Sequence, residues 1–213
     1  MEVGIYPELL NTVFVTDAAL KPMQGDRIRS GPLRVPSGYV VACDPFMEPD
    51  RPAFARRVSP GAYSVEAIQS QGRNAFVTLW LHDRLSCDPA MIRWEHAWTL
   101  TKSGVIDTGS ANGYGVDSGF GCLMDRAAHA AMLERAKGFP EGGSIRDYWD
   151  LVLDTDIGDA TVHDHYPLGP GSATNLIVVQ SGEGGGTYAT FWALNAAGTP
   201  VALVTDFGLI EPS

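Results

Sequence analysis

"GAYSVEAIQSQGRNAFVTLWLHD", residues 61–83, decides the reading of the fold. Two runs rich in β-branched and aromatic residues flank Gln71-Gly72, which is the pattern of a hairpin. In the second arm Ala75, Val77, Leu79 and Leu81 share one face, and Phe76, Thr78, Trp80 and His82 share the other. Both faces are largely apolar, so this strand is expected inside a sheet rather than at its edge.

The same punctuation extends in both directions. Upstream, "GPLRVPSGYVVACDP" predicts a strand at about Tyr39–Cys43, stopped by Asp44-Pro45. Downstream, "MIRWEHAWTL" predicts the next strand, with Gly104 turning the chain after it. "ATNLIVVQSG", "GTYATFWALN" and "TPVALVTDFGLI" are three further strands, joined by turns at "EGG" and "AAGT" and expected as an antiparallel meander.

Two helices are inserted, at about 123–137 and 144–154. In the first, Ala128, Ala131, Met132 and Ala136 fall at helical spacing, Asp125 caps the start, and Gly138 with Pro140 ends it. In the second, Ile145, Tyr148, Trp149 and Val152 form one stripe, and Ser144 with Asp147 makes an acidic capping box. "DIGDATVHDHYPLGPGSA" after it reads as an exposed loop. The prediction is a single α+β domain over residues 1–213, mainly antiparallel β, either a sandwich or a partly open barrel.

The totals bound function. The chain has 213 residues, 45% hydrophobic, with a formal net charge of −10. That charge disfavours nucleic acid, whose binding is driven by clustered Lys and Arg, and equally an anionic membrane surface. It suits a basic protein partner, a small ligand or a cation. Three cysteines, Cys43, Cys87 and Cys122, give no disulfide framework and no zinc-finger spacing. The N-terminal stretch lacks the basic start and long apolar run of a signal peptide, and no stretch approaches the ~18 apolar residues of a membrane span, so a cytoplasmic location is expected.

"VPSGYVVACDPF", "GAYSVEA", "RWEHAW", "GYGVDSGFGCLMD" and "SGEGGGTYATFWALNAAGTPVALVTDF" occur in this order. Together they resemble the bacterial family known as domain of unknown function 4241, over roughly residues 30–210. The resemblance implies a shared fold. It carries no established activity and no catalytic residues. The last motif departs from the family's Gly-Asp-Gly-x-Tyr pattern, with Glu183 at the altered acidic position.

Candidate site residues come from the same motifs. In "GYGVDSGFGCLMD" (113–125), Gly115, Gly119 and Gly121 permit close backbone approach to a ligand, and Asp117 and Ser118 offer acid–base or cation-binding groups. Set against that, Gly and Asp at a strand–turn–helix junction ordinarily serve the backbone. Cys122 near a helix start is a candidate nucleophile, although cysteine is more often an inert core residue. Glu183 and Tyr188 in "SGEGGGTY" are ligand-binding candidates, against a reading as a hairpin turn. Asp44, Glu95 and Asp206 recur beside strand ends. Two of them within ~6 Å would have separated pKa values and acid–base capacity; otherwise they cap turns and pair with arginines, Arg93 and Arg34 being the candidates for Glu95. His163 and His165 in "VHDHY", with Asp154, Asp156 and Asp159 nearby, are the metal candidates. Trp80, Trp94, Trp98, Trp149 and Trp192 are expected in the core or on sheet faces.

No cofactor motif is present, and whether the chain is an enzyme stays open. The favoured reading is a binding or protein-interaction domain with an acidic surface. One version is an immunity-like protein that neutralises a basic toxin. The alternative is a hydrolase-type enzyme using clustered carboxylates, with or without a divalent metal.

Overall fold

The computed structural model describes residues 4–210 apart from 48–50, 102, 108, 110–112, 140–143 and 170. Along the chain come α1 (Pro7–Leu10), α2 (Asp17–Leu20), β1 (Gly25–Arg29), β2 (Leu33–Val35), β3 (Val40–Cys43) and β4 (Gly61–Tyr63). The hairpin follows as β5 (Val65–Ser70) and β6 (Arg73–Trp80), then β7 (Arg93–His96), β8 (Thr99–Leu100) and β9 (Ile106–Asp107). Next are β10 (Tyr114–Val116), β11 (Phe120–Asp125) and α3 (Arg126–Ala136). A second helical run joins α4 (Ile145–Tyr148), a π-helical turn (Trp149–Leu153) and α5 (Asp154–Ile157). The chain closes with β12 (Val162–His165), β13 (Leu176–Gln180), β14 (Gly186–Tyr188), β15 (Thr190–Leu194) and β16 (Pro200–Asp206).

A six-stranded sheet has the order β1-β5-β6-β16-β15-β7, and a four-stranded sheet the order β12-β13-β11-β3. Every paired ladder in them is antiparallel. The sheets pack face to face as a sandwich, without closing into a barrel. Val77, Leu79, Trp192 and Leu203 of one meet Val40, Ala42, Leu123 and Ile177 of the other. Behind the larger sheet, Phe76, Trp80, Phe191 and Val204 are covered by Leu10, Val13, Phe14 and Leu20 from the N-terminal helical turns. Behind the smaller sheet, Val41, Cys122, Met124 and Val178 are covered by Met132 of α3 and by Tyr148, Leu153 and Ile157 of the second helical run. Strand β6 is thus apolar on both faces because both faces are buried.

Local signals explain the helix starts. Asp125 accepts the Ala127 N–H at 2.6 Å, and Ser144 and Asp147 exchange bonds, Ser144 N–H to Asp147 at 2.6 Å and Asp147 N–H to Ser144 Oγ at 3.1 Å. Pro140 lies outside the described residues, as does the Ile145 side chain. Among the described residues, no helix is long and apolar enough to cross a membrane.

Three expectations change. The C-terminal strands are not one meander: β13 joins the smaller sheet, and only β15 and β16 form a hairpin. The "EGG" segment therefore carries the chain from β13 of the smaller sheet into β14, which pairs with β10 outside both sheets, instead of closing a hairpin. Strand β7 forms where it was expected and lies at the far edge of the larger sheet, paired with β15. The segment expected as a loop contains β12, an edge strand on β13, whose polar side chains are half-buried and, at His165, buried. The N-terminal helical turns, too short to show helical periodicity, had no expectation at all.

Candidate functional site

The two glycine-rich motifs, some seventy residues apart, meet. β10 and β14 pair antiparallel as a separate two-stranded ribbon, with Tyr114 opposite Tyr188, Gly115 opposite Thr187 and Val116 opposite Gly186. Gly115, Val116, Asp117, Gly186 and Thr187 line an open cavity of about 410 Å³ with the exposed side chain of Met47. Glycine is obligatory at 113, where φ is +93° and a Cβ would lie 1.8 Å from the Tyr188 carbonyl oxygen. At Gly121 a Cβ would meet the Tyr114 hydroxyl at 2.5 Å.

Asp44 organises this region from below. It is fully buried, and its Oδ1 accepts the N–H groups of Phe46 and Met47 at 2.9 and 3.3 Å. Its Oδ2 accepts those of Asp117 and Ser118, both at 2.9 Å. With both oxygens committed to backbone, Asp44 serves as a clamp on the ribbon's turn. Asp117 is left exposed beside the cavity, and Ser118 Oγ accepts locally from Phe120 N–H at 3.2 Å. Gly119 sits in the following turn at φ +84°. Glu183 is exposed and pairs with Arg73 at 2.7 Å, while the Tyr188 hydroxyl donates to the Gly184 carbonyl at 2.8 Å.

The other carboxylates do not join it. Glu95 pairs with Arg93 and with Arg56, the latter at 2.8 Å, beside a cavity of about 280 Å³ that Trp98 and Trp192 help to line. Arg34, the other expected partner, instead bonds the Ser172 carbonyl at 2.5 Å. Asp206, at the end of β16, accepts Gly208 N–H at 2.8 Å, and burial raises its carboxyl to about 6. Cys122 faces Cys43 across the β11–β3 ladder with sulfurs 3.7 Å apart, and burial pushes its thiol well above the usual value. A thiol so placed is poorly suited to act as a nucleophile.

At the β12 edge of the smaller sheet a second constellation forms. His163 and His165, two apart on β12, share a face, and Asp156 reaches them from α5. Asp156 Oδ2 accepts from His163 Nε2 at 2.9 Å and from His165 Nδ1 at 2.5 Å. The buried Tyr148 hydroxyl meets His165 Nε2 at 2.5 Å. One ligand-type atom from each of Asp156, His163 and His165 lies within 4.8 Å of the others, so these three residues are able to hold a metal ion. Burial lowers the His165 imidazole, against the pull of Asp156, and raises the Tyr148 phenol to about 12. Asp156, His165, Arg135, Asp164 and Tyr166 border a cavity of about 490 Å³.

The π-helical turn explains how Tyr148 and Asp156 reach the same imidazole. Eight α-helical steps would leave them about 80° apart around the axis, whereas one inserted residue reduces the offset to about 20°. The sequence offered both histidines and the nearby aspartates but no signal for Tyr148, which read as part of a packing stripe. It equally gave no sign of the buried Glu66, which accepts from Arg27 and from Trp80 Nε1, both at 2.9 Å.

Residues 33–205 match the family described as "protein of unknown function (DUF4241)", and the chain belongs to that family. No curated protein matches the chain, and no solved structure does.

Proposed function

We propose that this member of the DUF4241 family is a binding domain that recognises a basic segment of a partner protein at the glycine-rich ribbon. The observation that carries the reading is the convergence of both glycine motifs on one open cavity, with exposed Met47 for apolar contact and exposed Asp117 for a cation. Glycines at 115 and 186 bring backbone close to an occupant, and Asp44 fixes the turn beforehand, which limits the ordering cost of binding. The net charge of −10 favours approach of a basic partner. An immunity-like role against a basic toxin is one form of such recognition.

Fluorescence anisotropy tests it, with lysine- and arginine-rich peptides against glutamate-rich peptides of equal length, at low and high salt. Basic peptides are expected to bind, more weakly as salt rises, and Asp117→Arg is expected to weaken them about tenfold. Equal binding by wild type and Asp117→Arg, or no binding by either, overturns the reading.

The hydrolase alternative built on Asp44, Glu95, Asp117 and Asp206 has less support, because Asp44 is committed to backbone N–H groups, Glu95 to arginines and Asp206 to a separate turn, which leaves Asp117 alone beside the cavity. Its metal-assisted version retains one favourable observation, the grouping of Asp156 with His163 and His165.

A further inference from the structure

We infer that Asp156, His163 and His165 form a binding site for a borderline transition-metal ion of the zinc class, with a coordination position open to the 490 Å³ cavity. The inference is independent of the ribbon and its proposed partner.

Three observations support it. First, the donors converge from two different elements. An edge strand supplies two imidazoles at i and i+2, and a helix supplies the carboxylate, so the set is a product of tertiary packing. Second, the donor chemistry is selective. Two imidazole nitrogens with one carboxylate oxygen suit zinc, cobalt, nickel or copper, whereas calcium and magnesium favour all-oxygen sets. Third, the more buried ligand is already oriented. With Nδ1 on the metal, His165 would carry its proton on Nε2 and donate it to Tyr148, the outer-shell bond that fixes a metal-bound imidazole.

The geometry requires small movements of all three ligands, including closure of the two imidazole nitrogens, now within 4.8 Å of each other. Ligand atoms about 2.0–2.2 Å from a tetrahedral zinc are about 3.4 Å apart. The contacts of Asp156 with His163 and His165, now 2.9 and 2.5 Å, would open by less than about 1 Å as the ion replaces the two shared hydrogen atoms. Asp156 is about half exposed, at 48%, which leaves it room to adjust. Three protein ligands and an adjoining cavity describe an open site, in which water or a small ligand completes the shell.

The test is calorimetric titration of tag-free, chelator-treated protein with Zn²⁺, Co²⁺, Mg²⁺ and Ca²⁺. One Zn²⁺ or Co²⁺ per chain is expected, Mg²⁺ and Ca²⁺ binding far more weakly. His163→Ala and Asp156→Asn should each weaken Zn²⁺ binding by at least about tenfold. Absence of saturable Zn²⁺ binding, equal affinity for Mg²⁺, or undiminished binding in both variants overturns the inference. Should either variant misfold, imidazole ¹⁵N resonances of the wild type decide. Zn²⁺ must shift those of His163 and His165 and leave His82, His96 and His129 in place; any other pattern sinks the site.

Discussion

The side chain of Asp44, at the end of β3, and the backbone N–H of Ser118, in the turn before β11, meet at 2.9 Å, joining segments 74 residues apart. Because that carboxylate also receives the N–H groups of Phe46, Met47 and Asp117, Asp44→Ala strands several backbone donors at once. A loss of about 2–4 kcal/mol is expected in urea unfolding. Amide exchange should accelerate first at Asp117 and Ser118. Asp44→Asn, which keeps one acceptor oxygen, should lose less.

Glu66 is the second buried anchor. Arg27, whose side chain is 1% exposed, pairs with it at 2.9 Å and with Asp17 at 2.8 Å, and Arg29 and Arg84 approach Glu66 at 3.3 and 3.7 Å. Arg27 also binds the carbonyls of Val13 and Val15, so this cluster fastens the N-terminal turns to the larger sheet. Glu66→Ala should cost about 2–3 kcal/mol, because Arg27 then keeps only the half-exposed Asp17 as a charge partner. Limited proteolysis should then cut first within residues 5–20.

Asp206 gives a signed dependence on pH. Burial raises its carboxyl from 3.8 to about 6 in the folded chain, so the folded state binds the proton more tightly than the unfolded state. The penalty is complete above pH 6, is relieved as pH falls from 6 toward 3.8, and is absent below that range. Asp206→Asn keeps an acceptor for Gly208 and removes the charge. It should raise stability at pH 7.5 by up to about 3 kcal/mol, with the difference from wild type vanishing near pH 4. An equal gain at both pH values would mean that the charge is not the cause.

Thiol reactivity separates the cysteines. Cys43 and Cys122 are buried and Cys87 is half-buried. Under native conditions iodoacetamide should modify Cys87 first, with Cys43 and Cys122 reacting only on unfolding. Mass spectrometry of timed digests reads this directly.

Much of the sheet was legible because short β-branched and aromatic runs bounded by turn residues mark strands. Strands β5, β6 and β16 were marked by β-branched and aromatic runs between Gly and Pro turns, and both inserted helices announced their caps through Asp125 and Ser144. Partner choice was not legible. Nothing in "RWEHAW" says that β7 pairs with β15, since register across long separations is set by packing of whole layers. The histidines of β12 were visible as a pair, but their geometry depends on a π-helical turn that leaves no periodic trace. For Asp44, the motif "CDP" reads identically whether the carboxylate caps a turn or performs chemistry, and only the four N–H groups around it decide.

The order of strands in the larger sheet carries a consequence for biosynthesis. β6 is made early, yet its neighbour β16 is made more than a hundred residues later, with Leu79 opposite Leu203. Until then one edge of the β5–β6 hairpin is open, and Phe76, Val77 and Leu79 lack the strand that completes their cover. Such an edge is a template for association with other nascent chains. Correct folding therefore depends on the last strands arriving before a neighbouring chain does, and yield should fall with expression rate even where the finished fold is stable.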